Sequence, residues 1–142
     1  MVVRNPGYED LVRSSFSQQG LMALYGAELT RVEPGSVDIE VPFRSDLTQQ
    51  QGFFHGGVTT AVLDTACGYA ALTLMPAGSE VLTVEFKINL LAPARGARYI
   101  ARGRVIRPGR TLTVCLADVF AVTGEQEILI ATMLSTIIVR ST

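Results

Sequence analysis

The run Gln49-Gln50-Gln51-Gly52-Phe53-Phe54-His55-Gly56-Gly57, with Asp64 seven residues beyond Gly57, holds the residues of this chain whose types and spacing best suit chemistry. Paired glycines at a helix start let the backbone approach a ligand closely. The first N–H groups of a helix have no partner inside it, and the helix dipole adds partial positive charge at that end. Such a turn can hold a developing oxyanion, and one donor of this kind is worth roughly 3 kcal/mol in barrier. Asp64 follows on the same predicted helix, about 12 Å from Gly56 at about 1.5 Å per residue. One chain's Asp64 is therefore too far away to serve its own Gly56. If both act in one reaction, a neighbouring subunit supplies one of them, and a symmetric dimer with antiparallel helices would do so twice. A lone carboxylate amid apolar residues needs a reason, because burying its charge is costly. It is a base or nucleophile in a dry site, an aspartate on the helix's one wet face, or a group bonded to Thr60 or Thr65. Spacing alone leaves these open.

The elements that must position these residues follow from periodicity and turn chemistry. Leu11, Phe16, Leu21 and Leu24 predict a loosely amphipathic N-terminal segment within residues 1–24, breaking near Gly20. Residues 27–32 and 36–41 read as strands joined through Glu33-Pro34-Gly35. In the second, Val37, Ile39 and Val41 alternate with Asp38 and Glu40, as expected of a sheet with one dry face. The main helix begins at His55 or Gly56, runs to Met75, and is closed by Pro76-Ala77-Gly78. It is apolar nearly all round, so most of its sides are expected to be buried. Residues 81–91, 97–107, 111–123 and 127–139 read as long strands, expected to pair antiparallel through short hairpins. The expected fold is α+β: one long helix against the concave face of a curved antiparallel sheet, in a single domain over residues 1–142.

Composition narrows the classes. The 142 residues are 48% hydrophobic and 18% charged with a formal net charge of −1, which excludes a disordered tail and gives no field to recruit nucleic acid. Two cysteines, Cys67 and Cys115, each in an apolar stretch, read as small buried hydrophobes; with one histidine they offer no zinc cluster. Residues 56–75 match a bilayer span in length, but Asp64 near the middle would cost roughly 2.5–3.5 kcal/mol on insertion. The expectation is a buried helix in a soluble protein with no membrane partner. Residues 1–13 carry Glu9 and Asp10 with no apolar run, so a cytoplasmic location is expected.

Gly-x-x-His-Gly-Gly at residues 52–57, Asp64 nine residues after His55, Thr83-Val84-Glu85-Phe86-Lys87-Ile88-Asn89, Pro93, and Arg107-Pro108-Gly109-Arg110-Thr111 occur in this order. In these motifs the chain resembles the hotdog-fold acyl-CoA thioesterases, in particular the phenylacetate-degradation (PaaI-type) branch, from about residue 26 to 139. The resemblance implies a hotdog fold and hydrolysis of an acyl- or aryl-acyl-CoA. It makes Asp64 the catalytic carboxylate, as base toward water or as nucleophile on the thioester. It makes the Gly56 N–H the group that polarises the thioester carbonyl. His55 belongs to the motif and is expected to shape the turn. Thr83 stands where relatives often carry a serine that orients water, and Gln49 where many carry asparagine.

Phe53, Phe54, Val58, Val62 and Leu90 are candidates for the acyl pocket, with Gly57 allowing close backbone approach. Six arginines fall between Arg95 and Arg110. Strand alternation places Arg98, Arg102 and Arg104 on one outer, wet face. Arg107 and Arg110 flank Pro108-Gly109, a turn that meets the CoA nucleotide in relatives, and guanidinium forks suit its phosphates. The expected assembly is a homodimer, extending to a homotetramer. No metal or prosthetic group is expected, coenzyme A being part of the substrate. Two rivals share the fold: an acyl-CoA sensor that binds without cleaving, and a dehydratase or hydratase, which would need a His–carboxylate pair.

Overall fold

A computed structural model describes residues 1–141. Two short helices, α1 (Tyr8–Ser17) and α2 (Gly20–Tyr25), lead into strands β1 (Glu28–Glu33) and β2 (Ser36–Pro42). The long helix α3 (Gly56–Leu72) follows, then strands β3 (Ser79–Leu90), β4 (Arg98–Arg107), β5 (Leu112–Thr123) and β6 (Gln126–Ser141). All ladders are antiparallel and the sheet runs β1-β2-β4-β5-β6-β3, its two edges unpaired with each other. One long helix against this curved sheet is the hotdog arrangement.

The strand order departs from a plain run of hairpins. β4 pairs with β2, and β3 lies beyond β6 at the far edge. The physical reason is α3: it leaves β2, crosses the concave face and delivers the chain to the opposite edge. The chain then returns over the ends of β6 and β5, held by the Leu91 N–H on Ile130 O (2.8 Å) and the Ala97 N–H on Val122 O (2.9 Å). The Pro34-Gly35 turn behaves as its residues require, with Gly35 at φ 77° and its N–H donating to Thr73 Oγ1 at 2.7 Å.

Alternation decides the two faces of the sheet. Val37, Ile39, Val41, Tyr99, Ala101, Met133 and Ile137 are buried under α3 against Leu63, Ala66 and Ala70. At Gly103 the helix lies so near the sheet that a Cβ would come within 2.6 Å of Ala66 O, so only glycine fits. On the outer face these arginines meet acids across the sheet: Arg98 with Glu40 and Arg104 with Asp118 on adjacent strands, and Arg102 reaching over β5 to bind Glu127 on β6 in bidentate fashion at 2.8 Å per bond. The Arg102 guanidinium holds the Glu127 carboxyl below its ordinary value. Among the described residues, no helix is long and apolar enough to cross a membrane.

Candidate active site

The start of α3 is set by the loop before it. Phe54 stacks on Tyr99 with ring centroids 4.0 Å apart, and its N–H donates to Ala94 O at 3.0 Å. The His55 N–H donates to Leu47 O at 2.9 Å. His55 is the N-cap: at φ −63°, ψ 134° its backbone is still extended, and its Nδ1 accepts the Gly57 N–H at 2.7 Å. The motif histidine therefore does shape the turn, and it does so by occupying the second glycine's donor. The Gly56 N–H is left without a hydrogen-bond partner among the described residues. Gly56 lines a cleft of about 730 Å³ with Gln49, Phe54, Gly57, Leu90 and Ile130. A Cβ at residue 56 would stand 3.0 Å from Leu90 Cδ1, so glycine keeps this entrance open.

Gln49 lies in this cleft with its amide engaged in its own loop. Its Oε1 accepts from the Gln51 and Phe53 N–H groups, and its Nε2 donates to Gln51 Oε1 at 3.0 Å. Val58 and Val62, expected in the acyl pocket, are instead buried in the core. In their place Thr59, Thr60 and residues 91–94 line the cleft, a set that single-strand periodicity could not assign because the 91–94 segment reaches it by the crossover.

Asp64 occupies a different place. Its Oδ1 accepts from Thr83 Oγ1 at 2.7 Å, across the gap from α3 to the edge strand. Thr60 and Thr65 bond back to the carbonyls of Gly56 and Ala61, so neither accounts for the carboxylate. Asp64 and Thr83 line a second cleft, of about 630 Å³, between α3, β3 and the α1–α2 pair. Within one protomer the carboxylate–hydroxyl pair and the free Gly56 N–H thus open into two separate clefts, about 12 Å apart along the helix.

From one to the other runs β3, which among the described residues is bonded on one side only. Leu82, Val84, Phe86 and Leu90 are 52%, 54%, 42% and 62% exposed, a long apolar edge of the kind that pairs with another strand. Arg107, Gly109 and Arg110 lie elsewhere. Gly109 lines a small cleft with Leu74 and Met75, beyond the C-terminal end of α3 and so opposite Gly56. One protomer does not bring this turn to the Gly56 cleft. Neither arginine has an ion pair or side-chain hydrogen bond among the described residues.

Both cysteines are buried, and burial raises both thiols, Cys115 up to about 12. Among the described residues no group of three or more His, Cys, Asp or Glu side chains is placed to hold a metal ion.

The sequence pattern of the thioesterase superfamily matches residues 51–128, which span the Gly56 turn, Asp64 and Thr83. A thioesterase family protein from Silicibacter pomeroyi is 47% identical and superimposes with a TM-score of 0.94, covering 96% of this chain and 100% of that one. Human acyl-coenzyme A thioesterase 13 is 28% identical over 91 residues, 63% of this chain and 64% of that enzyme. The PaaI protein of the E. coli phenylacetic acid degradation operon superimposes with a TM-score of 0.83 over 95% of this chain and 94% of that one; at 15% identity this likeness is one of fold.

Proposed function

This chain belongs to the thioesterase superfamily and is a thioester hydrolase, and from that premise we propose that it cleaves acyl-CoA to the free acid and CoA in sites shared between two protomers. The observation that carries this reading is the division of the machinery between two clefts at opposite ends of the uncovered edge strand β3. A two-fold axis at that edge pairs β3 with its copy, sets the two α3 helices antiparallel and lays one protomer's Asp64 against the other's Gly56.

In each shared site the chemistry is hydrolytic. Asp64 takes a proton from water while the Thr83 hydroxyl, bonded to Oδ1, holds carboxylate and water in register. The water oxygen bonds to the thioester carbon, and the carbonyl oxygen gains negative charge that the Gly56 N–H of the other protomer stabilises. The C–S bond then breaks, and the thiolate leaves and takes up a proton as CoA. These steps use a carboxylate, a hydroxyl and a backbone amide and ask for no metal. Arg107 and Arg110, free of ion pairs among the described residues, suit the phosphates of the CoA nucleotide.

The test is release of free thiol from short, long and aromatic acyl-CoAs, run beside solution mass. Turnover by a dimer or larger species is expected. Acyl-CoA binding without turnover across the series would place the protein among sensors and refute the proposal.

A further inference from the structure

Gly68 lies one turn beyond Asp64 on the same face of α3 and lines the same cleft. A glycine inside a helix weakens it relative to alanine, and nothing in the fold calls for one here. Its φ is not left-handed, and a Cβ built on it would meet only Val81 Cγ2, at an ordinary 4.0 Å. Gly103 is the contrast, since a Cβ there runs into the backbone of Ala66. What the missing side chain at residue 68 leaves is open space beside the carboxylate. The cleft continues past it beneath α1 and α2, between Leu11, Leu72 and Val81. These two helices are fixed as its roof, because the Tyr69 hydroxyl accepts from Gln19 Nε2 at 3.0 Å and shares a hydrogen bond with Ser15 Oγ at 3.2 Å.

We propose that the acyl group of the substrate runs from Asp64 into this cleft and that Gly68 sets the size of acyl group the enzyme accepts. The inference rests on the thioesterase reading above. It moves the acyl group away from Phe54 and Leu90 and leaves their cleft to the pantetheine arm. A side chain at residue 68 would stand about 6 Å along the helix from Asp64. It would leave room for a two-carbon acyl group and obstruct one that reaches further.

The experiment compares wild type, Gly68→Ala and Gly68→Val on acetyl-CoA and on a series of longer, branched and aromatic acyl-CoAs, with melting curves and mass as controls. Alanine fits without a clash, so at least that variant reports on a folded enzyme. The expected result is kcat/KM within about twofold of wild type on acetyl-CoA, and a loss of about tenfold on the larger acyl groups, deeper in the valine variant. An equal fall on every substrate, an unchanged profile, or a wild type that cleaves only acetyl-CoA overturns the inference. A wild type that releases no thiol from any of them overturns the thioesterase reading and this inference with it. A wild-type enzyme active on large acyl groups whose profile ignores residue 68 overturns this inference alone.

Discussion

Replacing Gly56 by proline removes the N–H assigned to the oxyanion and puts a ring carbon in its place, with little change to the helix. Gly56 is the first residue of α3, the position where proline is best tolerated in a helix. His55 before it already has ψ 134°, the extended conformation a following proline demands. The Gly56 N–H makes no hydrogen bond among the described residues, so none of those is lost. The steric cost falls on Leu90 Cδ1, 3.0 Å from the new Cβ, at the end of a flexible and exposed side chain. Gly56→Ala adds the same Cβ and keeps the N–H, so the ratio of the two variants reports the loss of the donor together with the ring carbon that takes its place. Loss of one oxyanion donor costs about 3 kcal/mol, a fall of about a hundredfold to a thousandfold in kcat. The assay is steady-state thiol release by both variants, with melting temperature and mass compared to wild type. A folded proline variant whose kcat lies within about threefold of the alanine variant would refute the assignment.

Asp64→Asn keeps the shape of the side chain and removes its basicity; kcat is expected to fall by about a thousandfold with melting temperature and mass unchanged, and retention of a tenth of native turnover would contradict the assignment. Thr83→Val removes the hydroxyl bonded to Asp64 Oδ1 and is expected to lower kcat by about tenfold or more, with Thr83→Ser restoring it; equal activity of the two variants speaks against water positioning. Burial holds Cys115 near 12 against an ordinary value of 9.0, and raises Cys67 as well. At about pH 8 neither thiol should react with an aromatic disulfide reagent until the protein is unfolded. Because the folded-state values are the raised ones, this contribution to stability is complete below pH 9.0 and is lost as pH climbs toward 12, which alkaline denaturation curves would show.

The sequence made much of this architecture readable because most elements are locally self-consistent. The Gly56 turn, the Pro34-Gly35 hairpin and the alternating strands each announce themselves in residue type, and the structure places β2, α3, β4 and β5 within a few residues of the predicted spans. The position of β3 was hidden, since its pairing with β6 links residues about fifty apart and depends on where α3 delivers the chain. The roles of His55 and Gln49 divide in the same way. A capping histidine before a helix is a local matter, whereas the tie between the Gln49 amide and the loop depends on how residues 49–53 fold back on themselves. Helix arithmetic separated Asp64 from Gly56. The bond from Asp64 to Thr83 needed both elements in place, and Val58 and Val62 were misplaced because an all-round apolar helix does not show which side meets the sheet.

Subunit complementation tests the shared site most directly. Asp64→Ala and Gly56→Pro proteins, each inactive alone, are unfolded together, refolded and assayed. If each site takes its carboxylate from one protomer and its amide from the other, every mixed dimer holds one intact site and one doubly defective site. The mixture should then recover about a quarter of wild-type activity. A refolded mixture shown by mass spectrometry to contain mixed dimers, yet no more active than the two parents, would contradict the account.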